Sequence, residues 1–417
     1  MMLKKYRTIF TILLFLQISF ITAQNEKLPL EITGFVRSYS SVLLKNSDFN
    51  NLENTLDIKL EHQRENLSFF ANPFVYQYPN KDNYYGFREL YIEYNSDKIA
   101  LKIGKQQIIW GQADGVFITD VVSPKNLTNF LLWDFNEIRI GVNALKITYF
   151  PTISSTFEIV LMPTFSPTIT PEKESIWRPK STYKVEPIFD TSEKKVKENL
   201  KNSELFIRYS LSKSAIDLQL MAGYTWDDDA SFHLKKQEKT LLIRPKYHRL
   251  GLLGGSFSTE INGFILRGEG AFYQNKYFQT NDQKVTDALT KKNYINYVIG
   301  LDRTLGDWKI SGQFIQKIIL NYQNTMQNDK HDNLATFIIN KTLLREKLRV
   351  EFFSYIGLNK QDALLRLRGY YFPYDGTTIE IGTNLFIKNE KYITEKAGQF
   401  GQYDQNDMVY ASLKYSF

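Results

Sequence analysis

The chain has 417 residues, a formal net charge of +7 at pH 7 and no cysteine. The lack of cysteine excludes disulfides, thiolate metal sites and a lipid-modified cysteine at a mature N-terminus. Three of the positive charges (Lys4, Lys5 and Arg7) lie close to the N-terminus, so the rest of the chain is only mildly basic. A charge this small does not predict nucleic acid as a partner.

The first predicted element is an export signal. A basic start is followed by an apolar run from Ile9 to Ile21 and by a small residue at Ala23. This pattern predicts a signal peptide over residues 1–23 and a mature chain over 24–417 that forms one domain. The apolar run is too short for a transmembrane helix, which needs about 20 apolar residues.

From Gln24 onward the chain is predicted to be all β. Segments of about ten residues alternate between apolar and polar side chains, as strands that cross an outer membrane do. Aromatic residues make up 15% of the chain, which suits the aromatic girdles of such barrels. The predicted strands begin near Leu30, Leu52, Glu65, Tyr85, Ile99, Ile138, Thr156, Ser203, Ile216, Tyr247, Gly263, Tyr294, Trp308, Asp332, Leu348, Asp362, Thr378 and Met408. We therefore predict a transmembrane antiparallel up-and-down β-barrel of about 18 strands, with 16 strands as the alternative.

The connections between these segments alternate between short and long. Short ones such as 64–66 are predicted to be periplasmic turns, and long polar ones such as 166–202 are predicted to be extracellular loops. An even strand count then leaves both termini in the periplasm. The count depends on 240–245, which could extend a strand, and on 359–361, which is short for an extracellular connection.

The last predicted strand runs from Met408 to an aromatic final residue, Phe417. Val409, Ala411 and Leu413 share one face of it, as the lipid-facing residues of a barrel strand would. Together with the leader, this strand predicts a bacterial outer-membrane barrel. Outer-membrane lipid and, through the C-terminal strand, the barrel-assembly machinery are the partners that this implies.

Alternation within the strands also separates a lipid face from a lumen face. Near Leu52, for example, Leu56 and Ile58 share one face, and Asp57 and Lys59 share the other. An Arg or Lys on the lipid face would cost about 2–4 kcal/mol at the bilayer midplane, so the charged faces are predicted to line the lumen. The pore-lining candidates are Lys102, Arg208, Arg267, Glu269, Lys309, Lys317, Arg349, Glu351, Arg366 and Arg368.

The stretch 103–126, IGKQQIIWGQADGVFITDVVSPKN, is the most distinctive in the chain. It resembles the outer-membrane porin group that includes alginate-export-like channels, and 139–151 and 375–386 look like further landmarks of that group. The positions that carry the resemblance are Gly104, Lys105, Gln106, Trp110, Gly111, Asp120, Pro124 and Asn126. The resemblance implies a passive channel, in some members for anionic polysaccharide, with arginine and lysine lining the pore.

The chain departs from a dedicated alginate exporter in two respects. Lys105 stands where arginine is commoner, and the predicted lumen faces also carry many acidic residues. These acids are Asp57, Glu61, Glu89, Glu93, Glu269, Glu351 and Glu380. We therefore leave the solute open.

The loop 111–137 is far more apolar in its middle than a solvated surface loop. It is therefore predicted to fold into the barrel mouth as a constriction, and the alternative is that it packs between strands or contacts an external partner. The candidates to set selectivity by charge are Asp114, Asp120, Lys125, Asp134 and Arg139. The loop 166–202, rich in Lys, Glu and Pro, is predicted to be mobile and external, with partial plugging as the alternative.

A barrel of 16 to 18 strands leaves an aqueous channel. We therefore predict a passive porin for small or oligomeric polar solutes, including anionic ones, without cofactor or metal and without enzymatic activity. One alternative is a structural or accessory barrel whose charges pair and plug the lumen. Another is a hydrolase at the rim, where Asp227–Asp229 with His233 come nearest to a catalytic arrangement. The sequence leaves the oligomeric state open.

Overall fold

The computed structural model describes residues 30–79, 81–179, 185–236, 239–282 and 284–417. The predicted signal peptide, 1–23, lies outside the described residues. Eighteen antiparallel strands form one sheet that closes on itself, so the predicted fold class and the count of 18 are confirmed. The alternative of 16 strands is wrong.

Each barrel strand pairs with the next barrel strand along the chain. The first half of the barrel consists of β1 (Leu30–Leu43), β2 (Phe49–Arg64), β3 (Leu67–Gln77), β4 (Tyr84–Asn95), β5 (Ile99–Gln106), β6 (Val142–Thr152) and β7 (Ser155–Met162). After β8 (Glu186–Phe189), which lies outside the barrel, come β9 (Glu204–Lys213) and β10 (Ile216–Trp226).

The second half of the barrel follows two further strands that lie outside it, β11 (Ser231–Lys236) and β12 (Thr240–Lys246). Its strands are β13 (Arg249–Ile261), β14 (Phe264–Gln279), β15 (Leu289–Leu305), β16 (Trp308–Ile319), β17 (His331–Leu343), β18 (Leu348–Gly357), β19 (Asp362–Tyr371), β20 (Thr377–Ile387) and β21 (Met408–Ser416).

The first and last strands close the barrel. β21 pairs with β1 from Met408 opposite Leu43 to Ser416 opposite Phe35. The final residue extends this ladder, because the backbone N–H of Phe417 donates to the carbonyl of Gly34 at 3.0 Å and the N–H of Gly34 donates back at 2.9 Å. The sheet therefore has no free edge, as a membrane-spanning sheet requires.

A second sheet of three strands lies outside the barrel, with β12 between an antiparallel β11 and a parallel β8. It is built from the connections that precede β9 and β13. Residues 240–245 thus form a strand of this sheet and do not extend a barrel strand. The connection 358–361 between β18 and β19 is short, although it lies at the same end of the barrel as the long loops.

The strands alternate between an exposed apolar face and a buried polar face. Outward residues such as Leu220, Leu253 and Ile299 are 51–66% exposed. Inward residues such as Glu53 and Glu269 are 2% and 6% exposed. In a membrane the first set meets lipid, and the second meets the lumen and what fills it.

Helices are few and short in the residues that the structure describes. α1 (Phe135–Ile138) precedes β6, α2 (Gly398–Gly401) precedes β21, and two 3-10 turns span Leu200–Asn202 and Thr394–Lys396. α1 explains why β6 begins at Val142 and not near Ile138 as predicted. In the part of the chain that the structure describes, no helix is both long and apolar enough to span a membrane.

Candidate functional site

The connection between β5 and β6, residues 107–141, runs through the barrel interior, and we call it the inward loop. It leaves the wall at β5 and reaches inward residues of β14, β16 and β18. It then contacts β19, and it returns to the wall beside β1 and β4. The lumen is thereby divided into a covered part and an uncovered part.

Glu269 of β14 holds the outgoing half of the inward loop. One of its carboxylate oxygens accepts hydrogen bonds from the backbone N–H groups of Gln112 and Ala113, the latter at 2.6 Å. The other accepts from the Thr119 hydroxyl at 2.6 Å and from the Thr119 N–H at 3.1 Å. Glu269 was predicted to line the pore, but its carboxylate instead accepts four hydrogen bonds from the inward loop and anchors it to the wall.

Two neighbours of Glu269 extend this anchor around Asp114. The Arg267 guanidinium contacts the Asp114 carboxylate, pairs with Asp302 at 2.9 Å and donates to the carbonyl of Gln112 at 2.7 Å. The side chain of Gln313 on β16 donates to the Asp114 carbonyl at 2.8 Å and accepts from its N–H at 3.2 Å. Asp114 and Arg267, both predicted site residues, thus neutralise one another at the wall.

Glycine at position 115 lets the inward loop touch β18. Its φ is +78°, and a Cβ atom there would lie 2.3 Å from the ring of Phe353 and 2.8 Å from the hydroxyl of Tyr355. The Tyr355 hydroxyl donates to the Gly115 carbonyl at 2.9 Å. A larger residue would push the loop away from this wall.

Apolar contacts explain why the middle of the inward loop is hydrophobic. Ile118 packs with Val298 and Ile315, which point inward from β15 and β16. Phe130 stacks on Trp177 at a ring distance of 6.0 Å, in a cluster that includes inward residues of β18–β21. The lumen wall is therefore apolar at these positions, and they are not available to line a pore because the loop covers them.

Arg366 of β19 holds the returning half of the inward loop. Its guanidinium donates to the carbonyls of Leu131 at 3.1 Å and Leu132 at 3.0 Å, and to the side chain of Asn384 at 3.1 Å. The residue is 4% exposed. In the described residues it makes no ion pair with a carboxylate, so its charge is solvated by carbonyl and amide oxygens.

The loop returns to the wall through Glu137 of α1. This buried carboxylate pairs with Arg37 of β1 at 3.1 Å and with Arg88 of β4 at 3.5 Å, while Arg37 also pairs with Glu53 at 3.1 Å. Burial raises the pKa of Glu137, and Arg37 and Arg88 oppose that shift.

Two more charged contacts fix the ends of the inward loop. The Trp110 indole donates to Glu158 at 2.7 Å, and Arg208 approaches the same carboxylate at 3.5 Å. Asp120, which is 2% exposed, pairs with Arg139 at 2.5 Å. Arg208, Asp120 and Arg139 are thus engaged inside the protein.

A narrow cavity remains between residues 129–134 of the inward loop and the wall formed by β1, β2 and β19–β21. Its volume is about 50 Å³, which is roughly the space of a few water molecules. Basic and acidic side chains face it together, namely Arg37, Arg366, Arg368, Glu53, Asp134 and Glu380, with the rings of Tyr39 and Tyr410 between them.

A larger cavity of about 730 Å³ lies between residues 111–115 of the inward loop and the turn end of the barrel. Lys309, Glu351 and Asn340 line it, and so does Arg368, which also lines the narrow cavity. Arg368 contacts Glu351. This ion pair therefore lies where the two cavities approach one another.

The remaining predicted site residues fall into separate environments. Lys102 pairs with Glu93 at 3.0 Å on β4, away from the loop. Lys317 lies over the rings of Phe278 and Tyr294, and Arg349 lies over that of Tyr370. The other candidates of the loop differ in their surroundings: Lys125 lies 5.0 Å from the ring of Phe117, and Asp134 is exposed at the narrow cavity.

The second long loop, 163–203, differs from the main prediction over its first part and fits the alternative of partial plugging. Ile169 pairs with residues 125–127 of the inward loop through two backbone hydrogen bonds of 2.8 Å. Trp177 is 3% exposed and its carbonyl accepts from the hydroxyl of Tyr403 at 3.0 Å. Here the loop enters the barrel mouth because its few apolar residues are packed there, whereas its polar composition suggested solvent.

Several residues that hold the site were not among the predicted ones: Arg37, Arg88, Glu137, Gln313 and Tyr355. Arg37 and Arg88 could have been found from strand alternation, since Arg37 pairs with the inward Glu53 and Arg88 with the inward Asp57. Nothing local in the sequence marks Gln313 or Tyr355 as loop contacts, because their partners lie 199 and 240 residues away.

The family described as "Protein of unknown function (DUF1302)" matches residues 80–344, which is more than half of the chain. The chain belongs to this family. No curated protein matches its sequence significantly.

Solved structures with the fold of this DUF1302 chain include OccAB3 of Acinetobacter baumannii, with 9% identity, a TM-score of 0.54, and coverage of 93% of this chain and 99% of that one. OccK10 of Pseudomonas aeruginosa gives 9% identity, a TM-score of 0.53 and the same coverage. OccD3 of Pseudomonas aeruginosa has 10% identity and a TM-score of 0.53, and the match covers 93% of this chain and 91% of that one.

The chain therefore shares the closed β-barrel fold of these proteins. At such low identity the likeness concerns the fold. The narrower resemblance to alginate-export-like channels stays a prediction.

Proposed function

We propose that this DUF1302 barrel is a passive outer-membrane channel for small or oligomeric polar solutes. The observation that carries the proposal is the position of Arg368, which lines both the narrow cavity and the larger one inside a closed barrel. Charged side chains facing both cavities would keep them hydrated. A solute would pass beside the Arg368–Glu351 pair, between the inward loop and the wall.

The charged side chains that line the two cavities bear on ion preference. Two acids near the route are engaged: Glu351 contacts Arg368, and Glu53 pairs with Arg37. Arg366 and Lys309 line the two cavities, and no carboxylate pairs with them in the described residues. Asp134 and Glu380 line the narrow cavity, and no basic side chain pairs with them in the same residues. The lining charges are thus nearly balanced, and the proposed preference for anions rests on the buried guanidinium of Arg366 at the narrow cavity, which no described carboxylate neutralises.

Single-channel conductance of the folded mature chain in planar bilayers tests this proposal. A reversal potential measured across a KCl gradient reports which ion passes. Steady conductance with a potential set by chloride supports an anion-preferring channel, and a potential set by potassium would contradict the preference but not the channel. A barrel that is folded by circular dichroism and by heat-modifiable gel migration, yet silent, would contradict the channel itself.

A second candidate, a non-conducting structural or accessory barrel, is favoured by one observation. The uncovered space at the narrow cavity is only about 50 Å³, and apolar clusters hold the inward loop in place. Shortening the loop separates the two candidates. We consider a variant in which a short glycine-serine linker replaces residues 116–132. If the wild type is a channel, the variant should have a larger conductance than the wild type. If the wild type is a plugged barrel, only the variant should conduct.

The location and assembly of the protein belong to the same proposal. Export by the predicted signal peptide, insertion by the barrel-assembly machinery through β21 and residence in the outer membrane fit a closed barrel with an apolar outer face. Fractionation of inner and outer membranes tests the location. Native gel migration of the protein extracted in mild detergent tests whether it forms an oligomer.

A further inference from the structure

A lysine-rich segment lies at the loop end of the barrel, shortly before β9, and we call residues 194–201 the basic segment. Its exposed charged residues are four lysines and one acid, namely Lys194, Lys195, Lys197, Lys201 and Glu198. Lys195 pairs with Glu198 at 3.8 Å, and the other three lysines make no ion pair in the described residues. The segment therefore presents three positive charges that are free to meet an anion.

The end of the basic segment is held against the barrel wall. The Arg249 guanidinium of β13 donates to the carbonyl of Lys201 at 2.9 Å. The Trp226 indole of β10 donates to the carbonyl of the next residue, Asn202, at 3.0 Å. Arg249 also lies over the Trp226 ring, 4.3 Å from its centroid. The position of the lysines is thus fixed relative to these two strands.

The part of the wall that holds the basic segment faces lipid. Arg249 and Trp226 pair across β13 and β10, and they share the outward face with Tyr224, which is 58% exposed. Leu200, in the basic segment, is 88% exposed. Aromatic rings with a basic side chain beside them are typical of the boundary between hydrocarbon and lipid headgroups. The three free lysines therefore lie at headgroup level.

An apolar furrow of about 460 Å³ lies in the same outward wall, farther from the loop end. Gly255 of β13 and Gly270 of β14 face one another and leave this space. The side chains that border it include Leu220, Tyr297 and Ile299. Gly255 lies six residues beyond Arg249, which is about 20 Å along a strand. At a strand tilt of about 45° this is about 14 Å of depth, within one leaflet of a hydrocarbon core about 30 Å thick.

We propose that the basic segment, Arg249 and the furrow form a binding site for a phosphorylated glycolipid of the outer leaflet. Its phosphates would contact the free lysines, and one acyl chain would lie in the furrow. Charge-assisted hydrogen bonds from lysine bind phosphate, and basic residues beside a membrane surface attract anionic lipid. The inference rests on the proposed outer-membrane location and not on whether the barrel conducts.

The experiment uses the full mature chain, folded in detergent, and titrates it with bisphosphorylated lipid A. Native mass spectrometry counts the lipids bound to each barrel. We expect one lipid A to be retained at micromolar concentration by the wild type. The variant that combines Lys194→Gln, Lys197→Gln and Lys201→Gln should bind it at least tenfold more weakly, because each lysine near a lipid surface adds to the attraction.

A matched control removes the same number of charges from the opposite end of the barrel. It combines three substitutions of exposed lysines at turns, Lys98→Gln, Lys213→Gln and Lys347→Gln. This variant should bind lipid A as the wild type does. Heat-modifiable gel migration checks that both triple variants retain the folded barrel.

Gly270→Val tests the furrow separately. A Cβ atom at this position would meet Tyr297 at 3.8 Å, an ordinary contact, so the barrel accommodates the larger residue. The new side chain fills the furrow and should weaken lipid A binding at least threefold. Gly312→Val is the control, since a Cβ atom there would meet Phe337 at the same distance of 3.8 Å, on the outward face of β16.

The site is overturned if the triple variant of the basic segment binds lipid A as tightly as the wild type. Displacement of lipid A by inorganic phosphate at the same concentration would indicate a site for free phosphate and overturn the lipid. Equal binding by Gly270→Val and the wild type would overturn the furrow as the place of the acyl chain. Membrane fractionation tests the location independently, so a wrong location and an absent site give different results.

Discussion

Two parts of the lumen wall carry the same kinds of residue and use them differently. On β14, Arg267 and Glu269 point inward and are occupied by the inward loop, whose backbone N–H groups and Asp114 neutralise them. On β18 and β19, Glu351 and Arg368 also point inward, but they pair with one another beside open cavities. The inward loop thus takes up the Glu269 carboxylate, whereas the Arg368–Glu351 pair borders both cavities without a hydrogen bond to the loop.

The comparison teaches that a lumen-facing charge is not by itself a pore-lining charge. A charge under the loop needs partners because burial without them costs several kcal/mol. A charge beside the cavities keeps water and is free to meet a solute. A variant can therefore change the charged side chains of one wall while leaving those of the other wall unchanged.

The largest effect is expected from Glu269→Ala. It leaves four loop donors without their acceptor, so we expect a loss of about 3–5 kcal/mol in the free energy of unfolding, from the lost charged hydrogen bonds and the unsatisfied groups. Urea unfolding in lipid vesicles measures this, and limited proteolysis reports release of the loop. Glu346→Gln, at an exposed turn position, is the control and should behave as wild type. A Glu269→Ala variant with an unchanged loop would show that apolar packing alone holds it.

Arg366→Met tests the other anchor and should have a smaller effect. The variant removes donors to the Leu131 and Leu132 carbonyls but keeps most of the side-chain volume, so about 2–3 kcal/mol of stability should be lost. Because residues 129–134 border the narrow cavity, single-channel conductance should rise as they loosen. Lys341→Met, another basic strand residue, serves as the matched control. Lower conductance in Arg366→Met would contradict the proposed route.

Glu351→Gln addresses the uncovered wall and should change selectivity with little change in stability. Its carboxylate is the ion-pair partner of Arg368, so its loss leaves that guanidinium uncompensated. We expect the anion-to-cation permeability ratio to rise roughly twofold. Reversal potentials in a KCl gradient measure the ratio, with Glu346→Gln again as control. If the ratio does not move, ions do not pass beside this pair.

The smallest effect is expected from acidification, through Glu137. Its pKa is raised by burial, so it takes up a proton at a higher pH than exposed glutamates do, and Arg37 at the narrow cavity then loses a counter-charge. Anion preference should therefore increase slightly as the pH falls from 7 toward 5. Glu137 also contributes to the free energy of unfolding. Because its pKa is raised in the folded protein, this contribution is present at low pH and diminishes as the pH rises through the raised pKa, whereas an ordinary ion-paired carboxylate stabilises at high pH.

Glu137→Gln provides the check on this last prediction. The variant lacks the titrating group, so its reversal potential should depend less on pH than that of the wild type. An equal pH response in both proteins would assign the effect to other carboxylates.

Most of the fold was predictable because it follows from a local rule. Alternation with a period of two, in segments long enough to cross a membrane, is visible in any ten residues, and all 18 barrel strands start at or near their predicted residues. The largest differences occur at β6, where α1 precedes the strand, and at β15, which begins at Leu289 and not near Tyr294. The apolar middle of loop 111–137 also suggested an inward position before any contact was known.

The contacts of the site were less predictable. Each pairs residues that are far apart in sequence, such as Glu269 with Thr119 or Arg366 with Leu131, and no local pattern encodes them. Glu269 and Glu351 look alike in sequence, since both are acids on the inward face of a strand.

By itself, then, the sequence determined the barrel, a strand count of about 18 and the direction in which each side chain points, because backbone pleating and the cost of charge in lipid act residue by residue. Only the tertiary structure decided which inward charges are buried under the loop and which face water. That choice depends on where one connection, 107–141, packs across the barrel, and on the partners it meets there.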